Sequence, residues 1–246
     1  MGCQFVAKGI NAEDNARAYG APIRRGLEAI HFLNTSLSKC QRNFAPDKKD
    51  GKVVGQPVAS SAFLSCKSTV NFVETAMSET ANMTMFVIAR TATDGSVAAD
   101  RPMFAGNYQG VGADGAPAWG VSIYASALNR VTATAGYGAT PEANENKVSG
   151  VTKPALANLW GLYMMQVSAA GLTMRDFTAN LSQFISASAP RRLATGKIRI
   201  GSGQSNFTGL CDVAVFQGHS ELLDESEIQA TVADLRAYAL RRGIVV

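Results

Sequence analysis

A sugar is held by an aromatic ring under its C–H face and by polar groups that pair with its hydroxyls. One region of the chain brings those residue types together: Asn107, Tyr108 and Gln109, then Trp119, then Tyr137. The Gly, Ala and Asp residues before Trp119 read as loop, and loops on a rigid scaffold are where binding groups usually sit. Asn107, Tyr108, Trp119 and Tyr137 are therefore the candidate ligand-contacting residues. Catalytic chemistry has a weaker footing. Glycoside hydrolysis needs two carboxyl groups about 5–10 Å apart. Asp212 is the one acid in a central strand pattern, while Glu225 and Glu227 sit at a helix start. His31 and His219 are the only histidines. A serine-type triad would need one of them beside an activated nucleophile, and no Gly-x-Ser-x-Gly elbow is present. Gly110 to Gly115 spells Gly-x-Gly-x-x-Gly. A dinucleotide site needs a strand before that motif and a helix directly after it. Here Ala116-Pro117 and a strand pattern from Trp119 follow, so the motif reads as a hairpin loop.

Composition narrows the field further. The 246 residues suit one large domain, a common size for all-β sandwiches. Charged residues make up 17%, against a typical quarter, and the net charge is +4. Basic residues occur in runs no longer than a pair, such as Arg24-Arg25 and Lys48-Lys49, so no nucleic-acid partner is expected. The cysteines at positions 3, 40, 66 and 211 form no CxxC pair, which argues against zinc. Cys211 lies in an apolar strand pattern and reads as a buried small hydrophobe. The sequence carries no signal-peptide pattern, no stretch long enough to span a membrane, and no Ser/Thr at position 6 for myristoylation. Membrane insertion is not expected. Asn34, Asn82, Asn180 and Asn206 begin N-x-S/T triplets that read as chance without a secretory signal.

The elements that must position these residues follow from hydrophobic period. Residues 1–25 form a separate arm, polar and Ala-rich over 11–19 and broken by Gly20-Ala21-Pro22. In 82–91 Met85, Val87 and Ala89 alternate with Phe86 and Ile88, the pattern of a strand. Residues 119–126 and 130–135 read as a strand pair. Residues 159–168 are almost continuously apolar, as in a strand covered on both faces. Residues 136–158 read as a long exposed loop and 178–195 as a mixed loop. Ile198 and Ile200 alternate with Lys197 and Arg199, Gly201, Ser202, Gly203 and Asn206 supply a turn, and Val213 and Val215 alternate again. His219 falls in a polar loop. Asp224 and Glu227 have capping-box spacing. Ile228, Val232, Leu235 and Ala239 then share one face of a helix over about 225–242, with Gly243 suited to the position just past it.

The order within Gly196–Ile228, strand, Gly/Ser/Asn turn, strand, loop and capped helix, resembles the closing hairpin and helix of concanavalin A-like (laminin-G-like) domains. Gly26 to Asn34 looks like the opening strand of that family, and Asp50 to Gly55 like its short Asp-Gly strand. Ala62 to Val73 is similar to its next strand pair, with Ser65 to Ser68 in place of the turn. Residues 82–91 fit its long central strand. The resemblance covers 26–246 and implies an all-β, two-sheet antiparallel jelly-roll sandwich with an N-terminal arm and a C-terminal helix. Such domains mostly bind sugars or serve as modules of extracellular and viral particles. Some hold calcium at the sandwich rim. The ligands here would be Asp94, Asp100, Asn107 and Asp114, but no dense Asp-x-Asp cluster supplies the six or more oxygens a hard cation wants. No cofactor is expected. Glucanases of the superfamily carry Glu-x-Asp-x-x-Glu on one strand, and no strand here has that spacing, so no enzyme activity is expected. An extracellular-type fold without a secretory signal leads to the expected function. It is a non-enzymatic phage virion surface protein (decoration, fibre or receptor-binding subunit) made in the host cytoplasm. Residues 1–25 would attach it to other virion subunits, its loops would touch surface glycans, and self-association into a homo-oligomer fits the architecture. The alternatives are a carbohydrate-binding module of a bacterial surface or exported protein, and a divergent glycoside hydrolase using Asp212.

Overall fold

The computed structural model describes Glu13 and residues 16–91, 93, 97–153, 159–205 and 207–246. In chain order the strands begin with β1 (Leu27–Phe32), β2 (Lys52–Val54), β3 (Val58–Ala59), β4 (Leu64–Lys67), β5 (Phe72–Glu74) and β6 (Met83–Arg90). They continue with β7 (Met103–Gly106), β8 (Gly110–Val111), β9 (Pro117–Ala118), β10 (Val121–Ala127), β11 (Arg130–Tyr137) and β12 (Glu145–Thr152). The last are β13 (Gly161–Ser168), β14 (Gly171–Asp176), β15 (Leu181–Ser186), β16 (Arg199–Ile200) and β17 (Leu210–His219). A one-turn helix α1 (Leu37–Cys40) follows β1, and α2 (Glu225–Leu240) follows β17.

Two antiparallel sheets face each other. The eight-stranded sheet runs β15-β14-β13-β6-β17-β4-β3, with β1 also paired to β17. The seven-stranded sheet runs β12-β11-β10-β7-β16-β5-β2, and β8 and β9 form a small separate ribbon. The main core lies between the sheets. Met83, Met85, Val87 and Ala89 of β6 meet Val121, Ile123, Val131 and Ala133 of β10 and β11 there. The other side of β6 carries Phe86 and Ile88 into a second cluster with Ile228, Val232, Leu235, Tyr238 and Ala239 of α2. Alternation along one strand thus serves both faces of the eight-stranded sheet. α2 starts as the spacing predicts: the Asp224 carboxylate accepts from Glu227 N at 2.9 Å, and the Glu227 carboxylate accepts from Asp224 N at 2.8 Å. Such a cap stabilises a helix by about 1 kcal/mol. Gly243 takes a φ of 73° just past the helix, a conformation that costs other residues a clash with Cβ.

Five local expectations are corrected. Residues 136–158 are not all loop, because β12 pairs with β11 from Arg130↔Thr152 to Tyr137↔Glu145. β12 is an edge strand, and its Glu145 and Lys147 are the kind of charges that guard an edge, which disguises it as loop. The 178–195 segment contains β15, the opposite edge of the eight-stranded sheet, with every second residue half-buried. The strands read as a closing hairpin, β16 and β17, lie in different sheets, as do β4 and β5. Ser65 belongs to β4 rather than to a turn, and its hydroxyl donates to Asp212 at 2.6 Å. His219 is buried at the end of β17, not in a polar loop.

The described part of the N-terminal segment lies against the body. Tyr19 packs edge-on to Phe32 and its hydroxyl donates to Asp234 at 2.7 Å. Arg42 donates to Ala16 O at 2.7 Å, and Arg25 reaches Glu227 of α2. Glu13 closes a polar cluster. It pairs with Lys39, whose side chain is 2% exposed, at 2.7 Å, and with Arg242 and Tyr238. Lys39 also donates to Asn34 at 2.6 Å, and Asn34 to Tyr238 at 2.7 Å. The separation expected at residue 25 therefore does not hold for 16–25. Residues 1–12, the rest of the expected arm, lie outside the described residues.

This cluster sets a pH dependence. Burial works to raise the Glu13 carboxyl, but hydrogen bonds from Lys39, Tyr238 and Arg242 outweigh it and hold the group below its ordinary 4.5. A depressed acid stabilises the fold above its unfolded value, and that stabilisation is lost as pH falls through the folded value. Glu13→Gln is expected to lower the urea midpoint at neutral pH, and the gap to the wild type is expected to close as pH falls through the lowered folded value of Glu13. Equal midpoints at neutral pH would show that Glu13 does not hold the segment down.

Candidate functional site

The four sequence candidates divide between two places. Asn107 is fully buried. Its Nδ2 donates to Glu79 Oε2 at 3.0 Å and Gly196 O at 3.0 Å, and its Oδ1 accepts from Val121 N at 2.8 Å. Glu79 also accepts from Ala194 N at 2.9 Å and pairs with Arg191, both side chains of that pair being buried. Burial raises the Glu79 carboxyl above its usual range, and Arg191, Ala194 and Asn107 pull it back only in part. Arg191 lies 5.1 Å from the ring centre of Tyr137, which is buried and donates to Ser168 O at 2.9 Å. Asn107 and Tyr137 are thus corrected from ligand contacts to parts of an interior clamp. An amide and a phenol with all their surface enclosed have nothing left to offer a ligand. Gly120, at a φ of 65°, fits this clamp because a Cβ there would stand 2.5 Å from Asn107 Oδ1.

Tyr108 and Trp119 are brought together on the outer face of the seven-stranded sheet. Val121, Ile123 and Ala125 of β10 point into the core, so Tyr124 between them points out. The pairing of β7 with β10 shifts register between Ala105 and Met103, which turns Met103 outward while Phe104 and Ala105 both join the core. The rings form a near-parallel pile. Phe207 stacks on Tyr108 at 5.5 Å and on Tyr124 at 5.2 Å, and Tyr108 meets Trp119 at 5.8 Å. Tyr108 and Tyr124 are 6% and 7% exposed, whereas Trp119 and Phe207 are partly open. Trp160, on the far side of the molecule, is half-buried against the second cluster, with the Arg90 guanidinium 4.7 Å from its ring centre.

Two clefts flank the rings. One of about 310 Å³ is lined by Gln109, Gly110, Val111, Pro117, Ala118, Trp119 and Asn144. The other, about 360 Å³, is lined by Ala98, Ala99, Gln109, Phe207 and Thr208. Gln109 stands in both walls and adopts a φ of 57°, a conformation uncommon outside glycine. The Gly110–Gly115 motif forms the β8–β9 hairpin turn, with Gly112 N donating to Ala116 O at 2.8 Å. Asn144 donates to Pro117 O at 3.1 Å, which fixes its amide so that Oδ1 is enclosed with no partner. Asn146 Oδ1 and Arg101 Nε are likewise enclosed and unpartnered. A cluster that leaves acceptors and a donor unmet has unused hydrogen-bonding capacity, which is costly without a ligand or water.

Other polar groups are accounted for structurally. Asp212 accepts from Ser65 and, at 2.9 Å, from Arg90, so its carboxylate is held in a structural pair. His31 Nδ1 faces Cys40 O at 3.1 Å, and burial drives its pKa down to about 4. Burial also lowers His219, whose Nδ1 faces Arg25 O at 2.8 Å. Burial pushes the Cys40 thiol up to about 12, far from a nucleophile's range. Of the calcium candidates, Asp114 is paired with Arg192 at 2.9 Å, Asp100 accepts from Thr208 at 3.3 Å, and Asn107 belongs to the clamp. Asp94 lies outside the described residues. Among the described residues no three His, Cys, Asp or Glu gather as a metal site. Sequence reasoning missed Tyr124, Phe207, Arg101, Asn144 and Asn146. Tyr124 carried a signal, an aromatic at an outward position between three core residues. Phe207 carried another, a lone ring in a Gly/Ser/Asn loop.

No family model and no curated protein matches the chain. Solved structures do match in shape. The receptor-binding domain of botulinum neurotoxin D aligns with a TM-score of 0.60 at 10% identity, over 87% of this chain and 54% of that one. The binding domain of botulinum neurotoxin DC in complex with SialylT gives 0.60 and 10%, over 86% and 52%. A structure described as showing that cell entry of botulinum neurotoxin type C depends on interaction with two ganglioside molecules gives 0.57 and 9%, over 85% and 51%. The chain spans about half the length of these solved chains. At this identity the likeness is one of fold, and it places the chain among two-sheet β-sandwich domains with that architecture.

Proposed function

We propose that this protein is a non-enzymatic saccharide-binding module and that the outer face of the seven-stranded sheet is its binding surface. The observation that carries this reading is the pile of Tyr124, Phe207, Tyr108 and Trp119 on a sheet face turned away from the core, flanked by two clefts. Open ring faces at Trp119 and Phe207 suit the C–H face of a sugar, and Asn144 Oδ1 suits a hydroxyl donor. The named ligands of two solved neighbours, SialylT and gangliosides, belong to the same chemical class and support the choice. Asp212 contributes no catalysis in this reading, because both of its oxygens are engaged by Ser65 and Arg90.

The two groups of sequence candidates should respond differently to substitution. Trp119→Ala removes an open stacking face and should weaken glycan binding by about tenfold, the equivalent of about 1.4 kcal/mol. Asn107→Ala should instead lower unfolding stability by about 3 kcal/mol, since it leaves Val121 N without its acceptor and takes one of the hydrogen bonds from buried Glu79. Glycan titration beside urea unfolding separates the two effects. Unchanged glycan affinity in Trp119→Ala would remove the stacking surface from the proposal.

We further propose presentation on a particle, as a decoration, fibre or receptor-binding subunit of a phage virion. The support is the sequence expectation of a neutral, sheet-rich subunit with an attachment segment, and the packing of 16–25 on the body narrows that segment to residues 1–12. The full-length protein is expected to sediment with particles from its source, and a variant lacking residues 1–12 is expected to stay at the top of the gradient. Full-length protein that also stays at the top would overturn virion presentation.

A further inference from the structure

Among the described residues Arg101 is a cation on the aromatic face that pairs with no acid, and its Nε is enclosed without a partner. Among the described acids, Asp114 pairs with Arg192 at 2.9 Å and Glu145 with Lys147 at 2.6 Å, while Asp100, next to Arg101 in sequence, accepts from the Thr208 hydroxyl at 3.3 Å and forms no ion pair with Arg101. Arg101 sits directly after the turn Ala98–Asp100 that walls the Phe207 cleft, and its carbonyl accepts from Gly209 N on the other wall. Two residues on, Met103 lies within the ring cluster itself. The guanidinium is near enough to both Tyr108 and Tyr124 to counter, in part, the upward push of burial on their hydroxyls. A half-buried guanidinium without a counter-ion is costly, and its planar fork of donors matches a carboxylate in geometry.

We propose that the saccharide bound on this face is acidic, with its carboxylate on Arg101 beside the Phe207 cleft. This rests on the saccharide reading above. The Trp119 cleft then takes a neutral sugar, and Gln109, which stands in both walls, lies between the two. The ligand class is an oligosaccharide with a uronic or nonulosonic acid beside a neutral residue. A neutral glycan would fill the ring surface and leave Arg101 uncompensated.

The test is calorimetric titration of the full chain with sets of three oligosaccharides: one carrying such an acid, its carboxyl methyl ester, and the neutral parent without the acidic sugar. The acid is expected to bind at least about tenfold more tightly than the ester, since a charge-assisted pair contributes on that scale. Arg101→Gln is expected to abolish the preference, and Arg101→Lys to keep part of it. Equal binding of acid and ester by the wild type overturns the acidic assignment, needs no variant to fold, and leaves the saccharide reading standing. A preference that survives in Arg101→Gln overturns the role of Arg101. Binding of none of the oligosaccharides overturns both readings together.

Discussion

A buried carboxylate must be met on every side, and Glu79 is the point from which the ordered aromatic face follows. Its oxygens hold Arg191, Asn107 and Ala194 N. Those contacts join the segment before β6, the turn after β7 and the long connection into β16. Asn107 passes the constraint to β10 through Val121 N, and Arg191 passes it to β11 through the Tyr137 ring. Each of these elements contributes to, or abuts, the ring pile. Breaking a buried pair by removing one partner costs about 3–5 kcal/mol, so the clamp fixes these loops more firmly than exposed loops are usually held. Rings whose spacing is set in this way present a surface without first having to order it, and preorganisation of that kind saves binding free energy.

The two outer faces are treated in opposite ways. On the eight-stranded sheet, Ile30, Phe32, Phe86, Ile88, Leu162 and Met164 are sealed by α2 and the segment around Tyr19. Among the described residues no α-helix lies over the seven-stranded sheet. Its outer side is finished by hydroxyl pairs such as Ser122 with Thr134 at 2.6 Å and Ser126 with Thr132 at 2.7 Å, and then by the rings. A sheet face needs either a cover or polar side chains. A patch of stacked aromatics that has only loops at its margins is the exception on this molecule, and that is why function is sought there.

Strong alternation made the fold largely legible in the sequence. The central strand at 82–91, the pair at 119–135 and the capped helix from Glu225 stand where period and capping rules put them. Edge strands were missed because they are built to look unlike strands. β12 carries Glu145, Asn146 and Lys147, and β15 mixes Ser and Gln with Leu, Phe and Ile. Sheet membership was missed as well, since no local pattern says that β16 and β17 part company after a loop. At the site, composition found Tyr108 and Trp119 but also drew in Asn107 and Tyr137. Side-chain chemistry is the same on either side of a sheet, and only strand parity and burial separate a stacking ring from a packed one. Arg101 gave no signal, because the enclosure of a guanidinium nitrogen is visible only in the fold.

The packing of the chain ends has a directional consequence. Ala16 and Tyr19 on one side of the sequence, and Val246 on the other, pack against the same cluster on the helix-covered face. Tyr108, Phe207 and Trp119 stand on the opposite face of the sandwich. The fold thus has a sealed back, where Ala16, Tyr19 and Val246 pack, and a ring-bearing front on the opposite face.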